Sequence, residues 1–300
     1  MLVMLAAESS LCHGQKIILT GASGMVGRAT AALLRRQGAE VVSICGPGSA
    51  AVGELRIDLS ENALNELSLP VDVIVHLAAA LPHNARYTDL SVSSKLTRQI
   101  DRNVLAFAKS KRVYVIYAST CSLYDTHSSE FKKESANVFC PTAYQAAKLS
   151  GEEAFLDLQS SAVLRLSNPY GFGMFASTVL PRFISSARRG EAVEYWGKGL
   201  REQDFVATSD IARLISLAIT HRAAGVFNVA SSRPVTMHKL AETVVTAIGA
   251  GTVQRSKRAD PLEGCTARYD TTKAFELLGW KAEADFIEGI RSCSEEIYRV

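Results

Sequence analysis

The sequence predicts an α/β protein, a doubly wound parallel sheet with helices on both faces and a smaller C-terminal lobe. Three observations carry that prediction. From Lys16 onward short apolar runs alternate with amphipathic stretches. A glycine-spaced turn joins the first apolar run to the first amphipathic one. Beyond about Asn168 the alternation loses regularity, with Gly-rich turns at 171–173 and 197–199. With 300 residues, 47% hydrophobic and 21% charged, the chain is long enough to bury a substantial core. Its net charge of +3 comes from 33 basic and 30 acidic residues without any basic block, so no nucleic acid or anionic membrane is expected as a partner. Cys12, Cys45, Cys121, Cys140, Cys265 and Cys293 form neither a CxxC pair nor a zinc-spaced cluster, so no metal is expected and a reducing, cytoplasmic compartment is the simpler reading.

Taken in order, residues 1–15 read as a poorly ordered N-terminal extension, because the apolar run in MLVMLAAESSLCHG lacks a basic flank and is too short to span a bilayer. Strands are expected at 16–20, 40–44, 55–57, 71–76, 112–118 and 162–166, and helices between them at 25–37, 89–110 and 142–159. Further helices are expected near 178–189, 209–220 and 237–248. Ligands of such sheets lie beyond the carboxyl ends of the strands. Motifs at those ends therefore call for a chemical reading.

The first such motif is KIILTGASGMVGRA, in which a strand runs into a helix through Gly21, Gly24 and Gly27. A chain reversal needs positive φ, a pyrophosphate needs close backbone approach, and the helix must pack tightly on the strand; glycine answers each demand. The helix N-terminus then offers its unpaired N–H groups to the anion. The segment predicts a Rossmann-type dinucleotide-binding core over 16–167, with Gly21, Ser23, Gly24, Met25, Val26 and Gly27 around the pyrophosphate. Residues 168–300 then form mainly a substrate-binding lobe, interleaved with the core.

The second motif is Tyr144-x-x-x-Lys148 in PTAYQAAKLSGEEA, a helix with Pro141 near its start. The spacing sets phenol and ammonium on one helical face. A phenol titrates near ~10, and a neighbouring ammonium together with the cationic ring of a bound nicotinamide favours its ionised form, so Lys148 is expected to tune Tyr144 for proton exchange near neutrality. Taken alone, the same pair also suits a solvated helix face.

Glycine loop and Tyr-x-x-x-Lys together resemble the short-chain dehydrogenase/reductase superfamily, and TGASGMVG resembles its extended branch, the NAD-dependent epimerase/dehydratase family of sugar-nucleotide-modifying enzymes. The resemblance implies that Asp58 and Leu59, after the third strand, contact the adenine; Asp58 also suits the N-cap of a helix over 60–67. It makes Leu77, Ala78 and Ala79 of the His76-Leu-Ala-Ala segment a shelf for the cofactor, with His76 structural. It implies that Thr120, four residues before Tyr124, hydrogen-bonds the reacting sugar oxygen beside Tyr144, and that Lys148 also holds the nicotinamide ribose. Dehydratases of the family follow that Thr with Asp-Glu, whereas Cys121-Ser122 follow here, which argues against dehydration. Cys121 reads as a bystander thiol, with an acid role in epimerisation as the alternative.

NAD-selective members end the second strand with an acid, and EVVSICGPGSA has none. Arg28, after the third glycine, suits a 2′-phosphate as well as it suits a solvated helix surface, so the cofactor is NADP or NAD with a lean towards NADP. Asn168 in RLSNPYGFG, Arg201 before Gln203 in GKGLREQDFVATSDIA, and Arg258 with Asp260 in KRADPLEG occupy settings where relatives bind the substrate diphosphate. The late YDTTKAFELLGW segment extends the resemblance to nearly the whole of 16–300. The expected function is a nucleotide-activated keto-sugar reductase with a Thr-Tyr-Lys site. An epimerase retaining NAD and a non-catalytic dinucleotide-binding sensor or structural protein are the alternatives. A homodimer through the helices at 89–110 and 142–159 is what the family implies.

Overall fold

A computed structural model of the chain describes residues 11–48, 54–61, 63–81 and 89–297. The first half folds in the order β1 (Lys16–Thr20), α1 (Met25–Arg36), β2 (Glu40–Cys45), β3 (Leu55–Arg56), β4 (Val73–His76), α2 (Leu90–Lys111), β5 (Tyr114–Thr120), α3 (Ala143–Leu156) and β6 (Ser161–Leu166). The second half opens with β7 (Asn168–Tyr170), α4 (Val179–Arg188), β8 (Ala192–Tyr195), β9 (Glu202–Gln203), β10 (Phe205–Ala207), α5 (Thr208–Thr220) and β11 (Gly225–Val229). It closes with β12 (Val235–Thr236), α6 (Met237–Ile248), β13 (Thr252–Arg255), α7 (Thr272–Leu278) and α8 (Phe286–Ile297).

The central sheet has seven parallel strands in the order β3-β2-β1-β4-β5-β6-β11. Its order reverses direction between β1 and β4, the crevice where such sheets bind ligands. The inner strands are apolar on both faces because helices cover both: β4 and β6 are buried along their whole length. On one face α1 presents Gly27, Thr30, Ala31 and Leu34, a stripe at helical spacing, and packs with α5. On the other face α2 and α3 pack together over the core around Ile74, Val115 and Phe155. The lobe has its own core, built from Leu180, Phe183, Leu240, Val244 and Ile290 of α4, α6 and α8.

Helix ends follow local chemistry. Asp89 caps α2 by accepting from Ser91 N and Val92 N, and Thr142 and Gln145 close a reciprocal capping box on α3. The expected strand at 55–57 spans only Leu55–Arg56, and the expected helix at 60–67 is a single tight turn over Ala63–Glu66. The poorly ordered extension is corrected for residues 11–15: Cys12 is fully buried in the main core and its thiol lies 3.9 Å from Ser216 O on α5, so this segment packs on the α1–α5 layer. Residues 1–10 lie outside the described residues. None of the helices described is long and apolar enough to cross a membrane.

Candidate active site

The carboxyl ends of four adjacent strands carry the motifs. Thr20 of β1 is in register with His76 of β4, His76 with Tyr117 of β5, and Thr120 with Leu166 of β6. The glycine turn, the Leu77–Ala79 shelf, Thr120 and Asn168 therefore leave the sheet side by side. Gly21 has φ +70°, and a Cβ there would stand 2.8 Å from Ala78 N, so only glycine lets the turn close over the end of β4. At Gly27 a Cβ would meet Gly21 O at 2.2 Å, which fixes the tight packing of α1 on the turn. Gly24 is different: among the described residues, Gly21 O, at 3.2 Å, is the one neighbour a Cβ there would meet within 4 Å. Gly24 is also the N-cap of α1, with no side-chain cap and no acid in the first turn. An open backbone face at an uncapped helix N-terminus fits a dinucleotide pyrophosphate, with Ser23, Met25 and Val26 half-buried around it.

Arg28 is exposed on α1. Its guanidinium lies 4.7 Å from the centre of the Phe172 ring and against Gly173, on the loop after β7. Asp58 behaves as a turn cap, Oδ1 accepting from Ser60 N at 2.9 Å and from the Ser60 hydroxyl at 2.6 Å. Leu59 has its side chain in the core, and its carbonyl accepts from Asn103 Nδ2.

Thr120, Tyr144 and Lys148 sit on β5 and α3, which pack directly on one another. Thr120 Oγ1 accepts from Ser122 N at 3.1 Å and donates to Ser122 Oγ at 3.0 Å, so in this arrangement it caps the turn over Cys121–Leu123. Lys148 is buried, its Nζ donating to Ala118 O at 2.9 Å and to the Tyr117 hydroxyl at 3.3 Å. Burial pushes the Lys148 amine below its usual range. The protein's own groups raise the Tyr144 phenol rather than lower it. Burial, and then the negative charge of Asp101 on α2, push it up to about 12. At neutral pH the phenol therefore keeps its proton.

Cys121 is fully buried, its Sγ donating to Arg165 O at 3.0 Å, and burial raises its thiol well above the ordinary range. That placement suits a bystander, and Cys121→Ala is expected to leave turnover unchanged in a steady-state assay. A loss of a hundredfold or more would return the thiol to the reaction.

Of the residues expected to bind substrate, Asn168 gives both its backbone N–H and an amide N–H to Asp204 O, each at 3.0 Å. Arg201 and Arg258 reach one loop cluster: Arg201 Nε lies 2.8 Å from Asp260 Oδ2, while Gly197 N donates to Arg258 O at 2.9 Å. Arg258 is exposed, its guanidinium 5.5 Å from the Trp196 ring centre, whereas Arg201 is held by Asp260. The sequence reading missed Gln145, whose Nε2 donates to Ser122 O at 2.6 Å and so ties the start of α3 to the turn after Thr120. The capping-box spacing Thr142-x-x-Gln145 was the available signal.

Residues 17–230 match the NAD dependent epimerase/dehydratase family. A dTDP-glucose 4,6-dehydratase of Streptomyces niveus is 27% identical over 229 residues, 73% of this chain and 68% of that protein. A dTDP-4-dehydro-6-deoxy-D-allose reductase of a Streptomyces species is 23% identical over 298 residues, 88% of this chain and 91% of that protein. Among solved structures, the dTDP-glucose 4,6-dehydratase of Streptomyces venezuelae with NAD bound is similar at TM-score 0.82 and 21% identity, covering 95% of this chain and 97% of that one.

Proposed function

The chain belongs to the NAD dependent epimerase/dehydratase family, and from that premise we propose that it is a reductase of a nucleotide-linked keto-sugar. The observation that carries the reading is the identity of the two residues after Thr120. Elimination of water needs an acid and a base at that point, and the chain offers the buried Cys121 thiol and the Ser122 hydroxyl instead. Tyr144 then remains as the proton donor, and a phenol held protonated at neutral pH suits donation to the alkoxide that forms when a ketone is reduced. The same phenol is poorly prepared to start an epimerisation, which begins by removing a hydroxyl proton.

When bound at the glycine turn, the reduced nicotinamide supplies the hydride. Thr120 turns its hydroxyl from Ser122 Oγ to the sugar oxygen while still accepting from Ser122 N. Lys148 keeps its bonds to Ala118 O and Tyr117 and offers its remaining N–H to the ribose. Asn168, Arg201 and Arg258 take the substrate diphosphate, Arg258 from the solvent edge. NAD is the dinucleotide in the matched structure, which favours NAD over the lean towards NADP. NADH is accordingly assigned as the reductant.

The test is mass spectrometry of any cofactor released from fresh protein, together with titration by NADH and NADPH. An empty site that takes NADH, and turnover of a nucleotide-linked keto-sugar, are the expected results. Tightly retained NAD would turn the assignment to an epimerase.

A further inference from the structure

Beneath the site a chain of polar side chains crosses the core. Thr20 Oγ1 lies 2.7 Å from His76 Nδ1, and His76 Nε2 lies 3.0 Å from Asp101 Oδ1. The Tyr117 hydroxyl donates to Asp101 Oδ2 at 2.8 Å and receives Lys148 Nζ at 3.3 Å. Each member is buried. With its hydrogen on Nε2, His76 donates to Asp101 and accepts from Thr20, whose oxygen in turn accepts from Ala78 N at 3.3 Å. Every polar atom along the chain is then paired, and its two ends are the cofactor shelf at Ala78 and the Lys148 ammonium.

A buried ionic chain of this kind is weak evidence for stability, because an apolar set of similar volume is often as stable. The packing around it is nonetheless tight. A Cβ at Gly151 of α3 would stand 2.2 Å from the Tyr117 hydroxyl oxygen and 2.8 Å from Asp101 Oδ2. Burial pushes the Asp101 carboxyl up, yet the His76 bond, the Lys148 charge and the Tyr117 bond together hold it below its usual range. The carboxylate is therefore a fixed negative charge, one hydroxyl away from the ammonium.

We propose that Asp101 and Tyr117 are positioning residues for the dinucleotide site: the Asp101 carboxylate, anchored by His76 and bridged by the Tyr117 hydroxyl, holds the Lys148 ammonium where it meets the nicotinamide ribose. This rests on the reading of Lys148 as the ribose ligand. The ionisable groups facing Lys148 are Glu152 on its own helix, Tyr117 from β5 and Asp101 from α2, with Tyr144 one turn before it on α3, His76 of β4 behind Asp101 and Arg165 of β6 behind Glu152. Asp101 and Glu152 both favour the charged amine against burial. Removing the Asp101 charge lets Lys148 lose its proton at lower pH.

NADH binding, followed by fluorescence from neutral to alkaline pH with thermal melts in parallel, tests this. Lys148→Met is expected to weaken binding about tenfold, the scale of one lost charge-assisted hydrogen bond. Asp101→Asn and Tyr117→Phe are expected to weaken it as well and to move its alkaline decline to lower pH. In the Lys148→Met background, Asp101→Asn should add no further loss. If Asp101→Asn fails to fold, Tyr117→Phe carries the test, since its ring keeps the 4.6 Å stack on Phe155. Wild-type affinity and pH dependence in folded Tyr117→Phe and Asp101→Asn would overturn the proposal, leaving the chain a purely structural one. Unchanged binding in Lys148→Met would overturn the ribose reading itself, and the proposal with it.

Discussion

Tyr144→Phe is expected to cut turnover by about 10²–10⁴-fold, the range for losing a positioned general acid, while dinucleotide affinity stays within about twofold, because Phe keeps the ring and removes only the hydroxyl. The rate falls because the turn after Thr120 offers no acid in the phenol's place: Cys121 is turned into the protein against Arg165 O, and the Ser122 hydroxyl oxygen accepts from Thr120. The pH profile supplies a second reading of the same group. The proposed reduction would consume the proton on Tyr144, whose titration is raised to about 12 by burial and Asp101, so the reductive rate should hold through neutrality and decline only on the alkaline side. Oxidation of an alcohol needs the phenolate and should rise with pH over the same range. A Tyr144→Phe enzyme with undiminished kcat would remove the phenol from the mechanism, and a reductive rate already failing near neutrality would mean that its environment in the complex is far more cationic.

The parts of this site legible in the sequence were those written in local spacing. Gly21, Gly24 and Gly27 report a turn whose demands are backbone demands, and the structure meets each with a different glycine: positive φ and closure at Gly21, an open face at Gly24, packing at Gly27. Tyr144 and Lys148 were legible because four residues is one helical turn. What spacing does not carry is charge arriving from another element. The expectation of a lowered Tyr144 considered Lys148 and a cationic nicotinamide ring, and not Asp101, which reaches the site from α2. Asp101 sits on the buried stripe of α2 with Thr97, Val104 and Ala108, and an acid on such a stripe signals a partner without naming it. The Arg28 contact is likewise invisible to spacing, since Phe172 lies far along the chain on the loop after β7. The lobe was hardest to read. Its strands β7 to β10, β12 and β13 run two to four residues, too short for a period-two pattern, and β11 completes the main sheet from the second half of the chain.

Glu152→Ala is expected to destabilise the protein by about 3–5 kcal/mol, the scale for orphaning one partner of a buried ion pair. Arg165 Nη2 lies 2.7 Å from Glu152 Oε2 and Arg165 Nε 3.0 Å from Oε1, a forked pairing with both side chains almost fully shielded. The guanidinium also donates to Glu134 O at 3.2 Å and lies 4.9 Å from the centre of the Tyr124 ring, so it is held in a shielded place where removal of the carboxylate strands its charge. Denaturant unfolding reads the loss directly, and the double variant Glu152→Ala/Arg165→Met should recover much of it, because the penalty comes from the stranded charge rather than from the missing bonds. The position of the pair also matters for function. Glu152 lies on α3 one turn after Lys148, and Arg165 on β6, so this ion pair clamps the helix that carries Tyr144 and Lys148 to the sheet. If that clamp sets the site, the double variant should regain stability without fully regaining kcat, since an apolar contact restores burial but not the angular restraint of a forked bond. Full recovery of both would mean that α3 is located by its contacts with α2 and β5 alone.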